Sequence, residues 1–314
     1  MCSDSVVDSL FSEQQIFDDG NHLLDTYESQ RSTLPSATYP PSYERGTDLE
    51  SLTYRYDAFF FDAFGVLNVG DTAIEGAAKR VAAVRKAGRQ VRIVSNAASV
   101  PLPLLHAKYL RLGFDFALDE IVSSRLTLIH HLKSEPARHW GVAAPAGADI
   151  SDLGVEATNL AEYPDAFDRV EGFIVLTTTA WTHAQQQLLE EALQTRPRPV
   201  LLANPDLAAP RENGFSVEPG EIGRRLREHA NVAPQAFGKP FPLIFDMAVN
   251  SLPGATIPRR VLMIGDTLHT DVLGGSSAGL STALVTANGA SSGLDWDKAI
   301  RDTGIVPHHV LDHI

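Results

Sequence analysis

The sequence predicts an α/β fold: an open parallel sheet whose chain is interrupted by a smaller α/β domain. From residue 55 onward, short apolar runs alternate with amphipathic segments, which is the pattern of βαβ units. Residues 56–61 are aromatic or bulky on both faces, as expected of a strand buried in a parallel sheet. The same alternation returns near the end of the chain, so one sheet accounts for both ends.

Each element follows from local signals in the sequence. The predicted strands of the main sheet are residues 56–61, 91–95, 121–123, 260–264 and 281–286. The predicted helices between them are residues 73–87, a segment ending near Gly113, and residues 126–132, 241–251 and 270–278. In the middle of the chain we expect strands at 172–177 and 200–203, and helices at 182–194 and 221–229. Thr182 is the predicted N-cap of the first of these two helices.

These elements divide the chain into three parts. Residues 55–134 and 237–314 form the predicted core, and residues 135–236 form an inserted domain. Residues 1–54 form an acidic leader, which we expect to be partly ordered, with a short helix at residues 22–28. The first 50 residues hold ten acidic and two basic side chains, or −8 of the formal net charge of −13. We expect this leader to pack on the domain but to lie outside the functional site.

Composition excludes several classes of function. The excess of 39 acidic over 26 basic side chains argues against nucleic acid as the main partner. Cys2 is the only cysteine, so no intramolecular disulfide and no cysteine-based zinc cluster can form. No run of 18 apolar residues occurs, so we expect no membrane partner. A cytoplasmic location is the default expectation, and a homo-oligomer stays open.

Polar side chains stand at the ends of the predicted strands and at the starts of helices. In chain order they are Asp62, Ser95, Asn96, Lys239, Asp266 and Asp271. Taken singly, each has an ordinary structural role, such as a helix cap or a partner of the helix dipole. Because the carboxyl ends of parallel strands meet at one edge of the sheet, all of them are expected to converge on one crevice.

The segments DAFGVL, VSN, GKP and GDTLHTD, in this order, resemble the four motifs of the haloacid dehalogenase (HAD) superfamily, and residues 55–290 fit its plan. The flap at residues 68–71, the insertion between the second and third motifs, the stretch ANPD at 203–206 and Pro219-Gly220 resemble subclass IIA, the NagD-type phosphatases. The resemblance implies a Rossmann-like core with a C2-type cap, which is the inserted domain.

The resemblance also implies roles for the site residues. Asp62 would be the nucleophile and form an aspartyl-phosphate that water then cleaves. Ser95, Asn96 and Lys239 would hold the phosphoryl group of a small phosphorylated metabolite. Asp62, Asp266 and the backbone carbonyl of Phe64 would ligate Mg²⁺, a hard ion that prefers oxygen. Asp271 would orient this group through Lys239 or water.

One position departs from the family pattern. The second residue after the nucleophile is an Asp in the superfamily's phosphatases, where it acts as general acid and base, and here it is Phe64. General acid and base catalysis typically raises the rate about 10²- to 10⁴-fold.

Three alternative functions follow from this departure. The first is a phosphohydrolase that is slow, restricted to leaving groups needing little protonation, or assisted by a cap residue such as His183 or Asp206. The second is a binding or regulatory protein with little turnover, and the third is a dehalogenase. The last is disfavoured because Asp266, Asp271 and the cap remain.

Substrate choice is expected to lie with the cap. The loop at residues 177–183 resembles the substrate-facing loop of subclass IIA, which makes Thr178, Trp181 and His183 candidate contacts. Asn204 and Asp206 are further candidates, and for both of them we favour a role in fixing the loop.

Overall fold

The computed structural model describes residues 17, 19–46, 48–211, 214–289 and 293–314. In chain order the strands are β1 (Glu44–Arg45), β2 (Ala58–Phe61), β3 (Asn68–Val69), β4 (Thr72–Ala73), β5 (Gln90–Ser95), β6 (Ile121–Ser123), β7 (Trp140–Ala143), β8 (Ala157–Asn159), β9 (Gly172–Val175), β10 (Val200–Leu202), β11 (Ala208–Arg211), β12 (Gly214–Val217), β13 (Gln235–Ala236), β14 (Val261–Gly265), β15 (Ser281–Val285) and β16 (His309–Leu311). The helices are α1 (Gly20–Ser29), α2 (Leu49–Leu52), α3 (Ala77–Lys86), α4 (Leu102–Arg111), α5 (Ser124–Leu132), α6 (His183–Thr195), α7 (Pro219–His229), α8 (Pro242–Asn250), α9 (Leu273–Ser277) and α10 (Trp296–Thr303). Within these described segments, no helix has both the length and the apolar character needed to cross a bilayer.

The main sheet has seven strands in the order β1-β16-β15-β14-β2-β5-β6, and every neighbouring pair is parallel. Strand β2 lies in the middle, with Phe61 in register with Ile93 of β5 and Ile264 of β14. Phe59 and Phe61 pack into the core on one face of the sheet, and Phe60 packs on the other. The predicted α/β fold is therefore confirmed, including the two-sided burial of the first core strand.

The strand order places a crevice beside β2. The chain runs from β2 to β5 and β6 on one side of it, whereas β14 and β15 lie on the other side. Open α/β sheets bind ligands at such a reversal of strand order, outside the carboxyl ends of the strands. The antiparallel pair β3 and β4, which contains the predicted flap, follows β2 directly at this edge.

The inserted cap contains a second parallel sheet, of order β13-β10-β9-β7-β8. Its strands β9 and β10 match predicted strands, whereas β7, β8 and β13 were not predicted. Strands β8 and β13 are short and carry small or polar residues. One face of this sheet packs against the core helix α5. At this contact Trp140 and Ile174 of the cap meet Leu128 and Leu132 of α5. Apolar burial therefore fixes where the cap sits on the core.

The described part of the leader contacts both domains. Helix α1 begins after Asp19, whose side chain accepts a hydrogen bond from the backbone N–H of His22. Leu23 and Tyr27 pack against Leu207 of the cap. The leader also pairs with the core, because β1 adds a parallel edge strand beside β16.

Candidate active site

The carboxylate of Asp62 follows β2 at the centre of the crevice. Its residue is 9% exposed, and Oδ1 lies 2.5 Å from Nζ of Lys239. Burial raises the pKa of Asp62 to about 7, against the opposing effect of the Lys239 charge. A carboxylate beside a lysine at the end of a sheet strand has the position of a nucleophile whose charge is offset by its neighbour.

Lys239 joins two of the predicted acids. It is 1% exposed, and Nζ donates to Oδ1 of Asp271 over 2.7 Å. Burial alone would lower the pKa of Lys239, but the carboxylates of Asp271 and Asp62 outweigh it and raise that pKa above its usual range. The lysine is therefore a permanent cation beside Asp62, and its hydrogen bond to Asp271 fixes its position.

Asn96 holds the backbone of Lys239 rather than facing open space. Its Oδ1 accepts from the Lys239 backbone N–H over 2.7 Å, and its Nδ2 donates to the Lys239 carbonyl over 2.9 Å. The same Nδ2 donates to Oδ1 of Asp206 over 2.7 Å. Both amide hydrogens are thus in use, so we correct the implied phosphate contact of Asn96 to a positioning role. Ser95, the last residue of β5, is buried and lines the cavity with Asp62.

Three carboxylates converge at this edge of the sheet. One oxygen each of Asp62, Asp266 and Asp271 lies within 4.8 Å of the others. Backbone approaches Asp266 so closely that a Cβ at Gly65 or at Gly289 would lie 2.2 or 1.9 Å from its Oδ2. Gly65 also has a φ of +76°, which disfavours any side chain. A buried set of carboxylate oxygens at this spacing fits Mg²⁺.

The local fold around Asp271 differs from the predicted helix at 270–278. Residues Leu268–Val272 form a π-helical turn, and the regular helix α9 begins only at Leu273. The backbone N–H of Thr267 donates to Oδ2 of Asp271 over 3.2 Å. The turn brings Asp271 back under Gly265, where a Cβ would lie 1.9 Å from its Cγ. Wide turns of this kind occur often at functional sites.

The ring of Phe64 is flanked by two cations. Nζ of Lys108, from α4, lies 5.0 Å from the centre of its ring. The guanidinium carbon of Arg211, from β11 of the cap, lies 5.1 Å from the same centre. These distances are typical of cation–π contacts. Neither Lys108 nor Arg211 was singled out from the sequence, because the residues lie 103 positions apart and share no motif.

These residues enclose a cavity of about 390 Å³ between core, cap and leader. Leu23 and Tyr27 of α1 line it, so the expectation that the leader lies outside the site was wrong. The Tyr27 hydroxyl accepts from the backbone N–H of Leu207 over 3.1 Å, and its ring stacks on His269 with 5.1 Å between centroids. The spacing of Leu23 and Tyr27 by four residues was the available signal, since it marks one apolar face of a helix.

The cap candidates divide into two groups. Thr178, Asn204 and Asp206 line the cavity, although Thr178 Oγ1 also donates to the Val217 carbonyl over 2.5 Å. Among the described residues lining the cavity, Trp181 and His183 do not appear. Trp181 lies in the cap core and donates from Nε1 to Gln186, and His183 is the first residue of α6. Their predicted contacts with substrate are therefore corrected: Trp181 is buried in the cap, and His183 is exposed outside the cavity lining.

Glu218 is an acid of the cavity that sequence reasoning missed. Its Oε1 accepts from Ser216 Oγ over 2.7 Å and lies 3.4 Å from Nη2 of Arg211, while Oε2 accepts from Asn204 over 3.1 Å. Burial raises the pKa of Glu218, and burial raises that of Asp206 well above its usual range. The cap thus presents two acids that tend to keep a proton.

The chain matches known proteins over most of its length. Residues 59–151 match the family model of haloacid dehalogenase-like hydrolases, and residues 236–314 match that of HAD-hydrolase-like proteins. Chronophin of Bos taurus is 28% identical over 86% of this chain and 95% of its own length. The glycerol-3-phosphate phosphatase of Homo sapiens is 28% identical over 77% of this chain and 82% of its own length.

A solved structure agrees with these sequence matches. The crystal structure of a possible sugar phosphatase of the HAD superfamily from Cytophaga hutchinsonii is 26% identical, with a TM-score of 0.79 over 87% of this chain and 98% of its own. The matched segments fall on both parts of the core, and the structural match includes the cap. The chain therefore belongs to the haloacid dehalogenase-like hydrolases.

Proposed function

We propose that this protein is a Mg²⁺-dependent phosphohydrolase that acts on a small phosphorylated metabolite through an aspartyl-phosphate on Asp62. The observation that carries the proposal is the pairing of Asp62 with Lys239, 2.5 Å apart, inside a three-carboxylate cluster that opens on one cavity. A lone acid at a strand end would not support it. The matched phosphatases support the reaction class.

Each residue of the site has its own role in phosphoryl transfer. An oxygen of Asp62 attacks phosphorus. The bond between phosphorus and the leaving oxygen breaks, and its electron pair stays on that oxygen. Lys239 and Ser95 hold the phosphoryl oxygens, and Lys239 offsets the repulsion between Asp62 and an anionic substrate. Asp271 keeps Lys239 in place.

Asp62, Asp266 and the Phe64 carbonyl would hold Mg²⁺, whose charge, when it is bound, favours the anionic form of the carboxylates and of the phosphoryl group. After the transfer, water cleaves the aspartyl-phosphate. Phe64 can neither donate a proton to the leaving oxygen nor accept one from this water. We therefore expect slow turnover of substrates with poor leaving groups. Of the two cap residues predicted to assist, Asp206 lines the cavity and His183 does not.

A second candidate function is a binding or regulatory protein that keeps the phosphate and metal site with little turnover. Phe64 favours it, because the ring fills the place of the general acid and base. A dehalogenase is disfavoured, because such an enzyme needs no metal and the buried carboxylates of Asp266 and Asp271 would then have no use.

Phosphate release from p-nitrophenyl phosphate tests the proposal. We expect Mg²⁺-dependent release by the wild type, loss of release with EDTA, and no release by Asp62→Asn. Asp246→Asn, an exposed acid of α8, is the matched control and should keep wild-type activity. Activity surviving in Asp62→Asn would contradict the nucleophile. Binding of Mg²⁺ and phosphate without turnover of any ester would favour the second candidate, and metal-independent halide release from a short haloacid would favour the third.

A further inference from the structure

The cations over Phe64 place positive charge in the cavity that Asp62 lines. Lys108 and Arg211 line the same cavity as Asp62 and Ser95, and they approach the Phe64 ring from the core and from the cap. Lys239 already offsets the charge of the transferred phosphoryl group. The cations at Phe64 are therefore available to a different part of the substrate.

The acids beside these cations offset their charge only in part. Nζ of Lys108 lies 2.9 Å from Oδ1 of Asp71, whose side chain is 92% exposed and so is well hydrated. Arg211 donates a long hydrogen bond of 3.4 Å to Glu218 and a second one of 2.9 Å to Ser216 Oγ, which carries no charge. Burial raises the pKa of Glu218, which favours its neutral form. An anion arriving in the cavity would thus find two side chains able to bind it.

The side chain of Phe64 has no proton to donate, and this also bears on the leaving group of the substrate. Since the residue is two positions beyond Asp62, it stands where the family's acid protonates the leaving oxygen. A leaving alkoxide is a strong base and needs that proton, whereas a leaving phosphate is stable as an anion. We infer that the substrate is a phosphoanhydride, a diphosphate compound whose terminal phosphoryl group goes to Asp62 while the leaving phosphate lies against Lys108 and Arg211. The inference rests on the proposed phosphatase function and names its substrate class.

The reaction balances without a general acid. Asp62 attacks the terminal phosphorus, the bridging P–O bond breaks, and its electron pair stays on the leaving phosphate. Water then attacks the phosphorus of the aspartyl-phosphate and restores the Asp62 carboxylate. The leaving phosphate dissociates before this step, because water must attack from its position, and the proton released by the water goes to the solvent. The products are inorganic phosphate and the shortened phosphate compound.

Four compounds separate leaving-group charge from leaving-group acidity. Glycerol 3-phosphate has a poor, uncharged leaving group, and 3-phosphoglycerate has a poor leaving group with a carboxylate. The leaving group of p-nitrophenyl phosphate is good and carries no phosphate, and that of inorganic diphosphate is good and highly anionic. Measured with Mg²⁺ in excess, kcat/KM should be at least tenfold higher for diphosphate than for p-nitrophenyl phosphate. It should be lowest for glycerol 3-phosphate.

Variants of the two cations complete the test. Lys108→Met and Arg211→Met should each lower kcat/KM for diphosphate at least tenfold more than they lower kcat/KM for p-nitrophenyl phosphate. Lys86→Met, an exposed lysine at the end of α3, should change neither. Equal losses on both compounds, or a preference for 3-phosphoglycerate over diphosphate, would overturn the substrate class while leaving the phosphatase function standing. Absence of Asp62-dependent release from all four compounds would overturn the proposed function and this inference with it.

Discussion

The floor and the wall of the cavity are built in different ways. The floor contains Asp62, Ser95 and Asp266, which lie at the ends of neighbouring parallel strands, and also Lys239 and Asp271. Lys239 pairs with the carboxylates of both Asp62 and Asp271. The wall comes from the cap and from α1, and its side chains are held by contacts between segments far apart in sequence, such as those of Tyr27 with Leu207 and His269. Sheet topology thus places the chemistry, and segments far apart in sequence shape the space for the substrate.

The largest effect is expected from removing the cation of the floor. Lys239→Met leaves the buried carboxylates of Asp62 and Asp271 without their partner, which should lower the free energy of unfolding by about 3–5 kcal/mol. Phosphatase activity should fall on the order of 10³-fold. Urea denaturation and kinetics measure the two effects, with Lys86→Met as the surface control. A stable, active Lys239→Met protein would show that the floor does not depend on this pair.

Metal binding should stabilise the floor specifically. Mg²⁺ at a hundredfold excess over its Kd should raise the free energy of unfolding by about 3 kcal/mol, because only the folded chain brings the carboxylates together. Asp266→Asn should lose most of this gain, whereas Asp246→Asn should keep it. The measurement is thermal unfolding with and without Mg²⁺. Equal stabilisation of both variants would place the metal elsewhere.

Substitutions in the wall should have smaller effects than those in the floor, and they should change substrate binding rather than the chemical step. Tyr27→Ala removes a buried ring between cap and core and should lower the free energy of unfolding by about 2–4 kcal/mol. Tyr27→Phe removes only the hydrogen bond to Leu207 and should cost about 1 kcal/mol. In both variants we expect a change in KM with kcat nearly unchanged. If Tyr27→Ala had the stability and the KM of the wild type, the leader would not form part of the wall.

The smallest effect concerns the edge of the main sheet, away from both regions. His309 of β16 is buried, and its Nε2 lies 2.7 Å from the Tyr56 hydroxyl. Burial lowers the pKa of His309 to about 4. Since the unfolded chain binds this proton at a higher pH than the folded one, stability should fall as the pH drops from about 6.5 towards 4. Urea denaturation at pH 7 and 5 should show a smaller drop for His309→Gln, and an identical drop would contradict the assignment.

The floor could be predicted from sequence because its residues follow strands with a clear apolar signature. Asp62 and Asp266 each follow a strand whose neighbours in the sheet were also recognisable. The contacts of Asn96 could not be predicted in this way. Its position beside Ser95 suggested a phosphate contact, but its partners, Lys239 and Asp206, lie more than 100 residues away.

Most residues of the wall could not be predicted from the sequence. Trp181 looked like a substrate contact because its loop follows a cap strand, yet apolar burial against Phe167 in the cap core determines its direction. Tyr27 and Arg211 carry no motif, and they reach the cavity only because α1 and the β11–β12 hairpin pack there. Long-range packing of this kind leaves no local pattern in one sequence.

The central claim is that this site transfers phosphoryl groups through Asp62 without a general acid at position 64. The most direct measurement is the ratio of kcat/KM for p-nitrophenyl phosphate to that for glycerol 3-phosphate, in the wild type and in Phe64→Asp. We predict that Phe64→Asp lowers the ratio at least ~10-fold by accelerating glycerol 3-phosphate hydrolysis. The increase in kcat/KM for glycerol 3-phosphate should stay near the lower end of the range typical of general acid catalysis, because Lys108 and Arg211 would lower the pKa of the introduced acid. An unchanged ratio would contradict the account, since it would mean that the proton is supplied elsewhere.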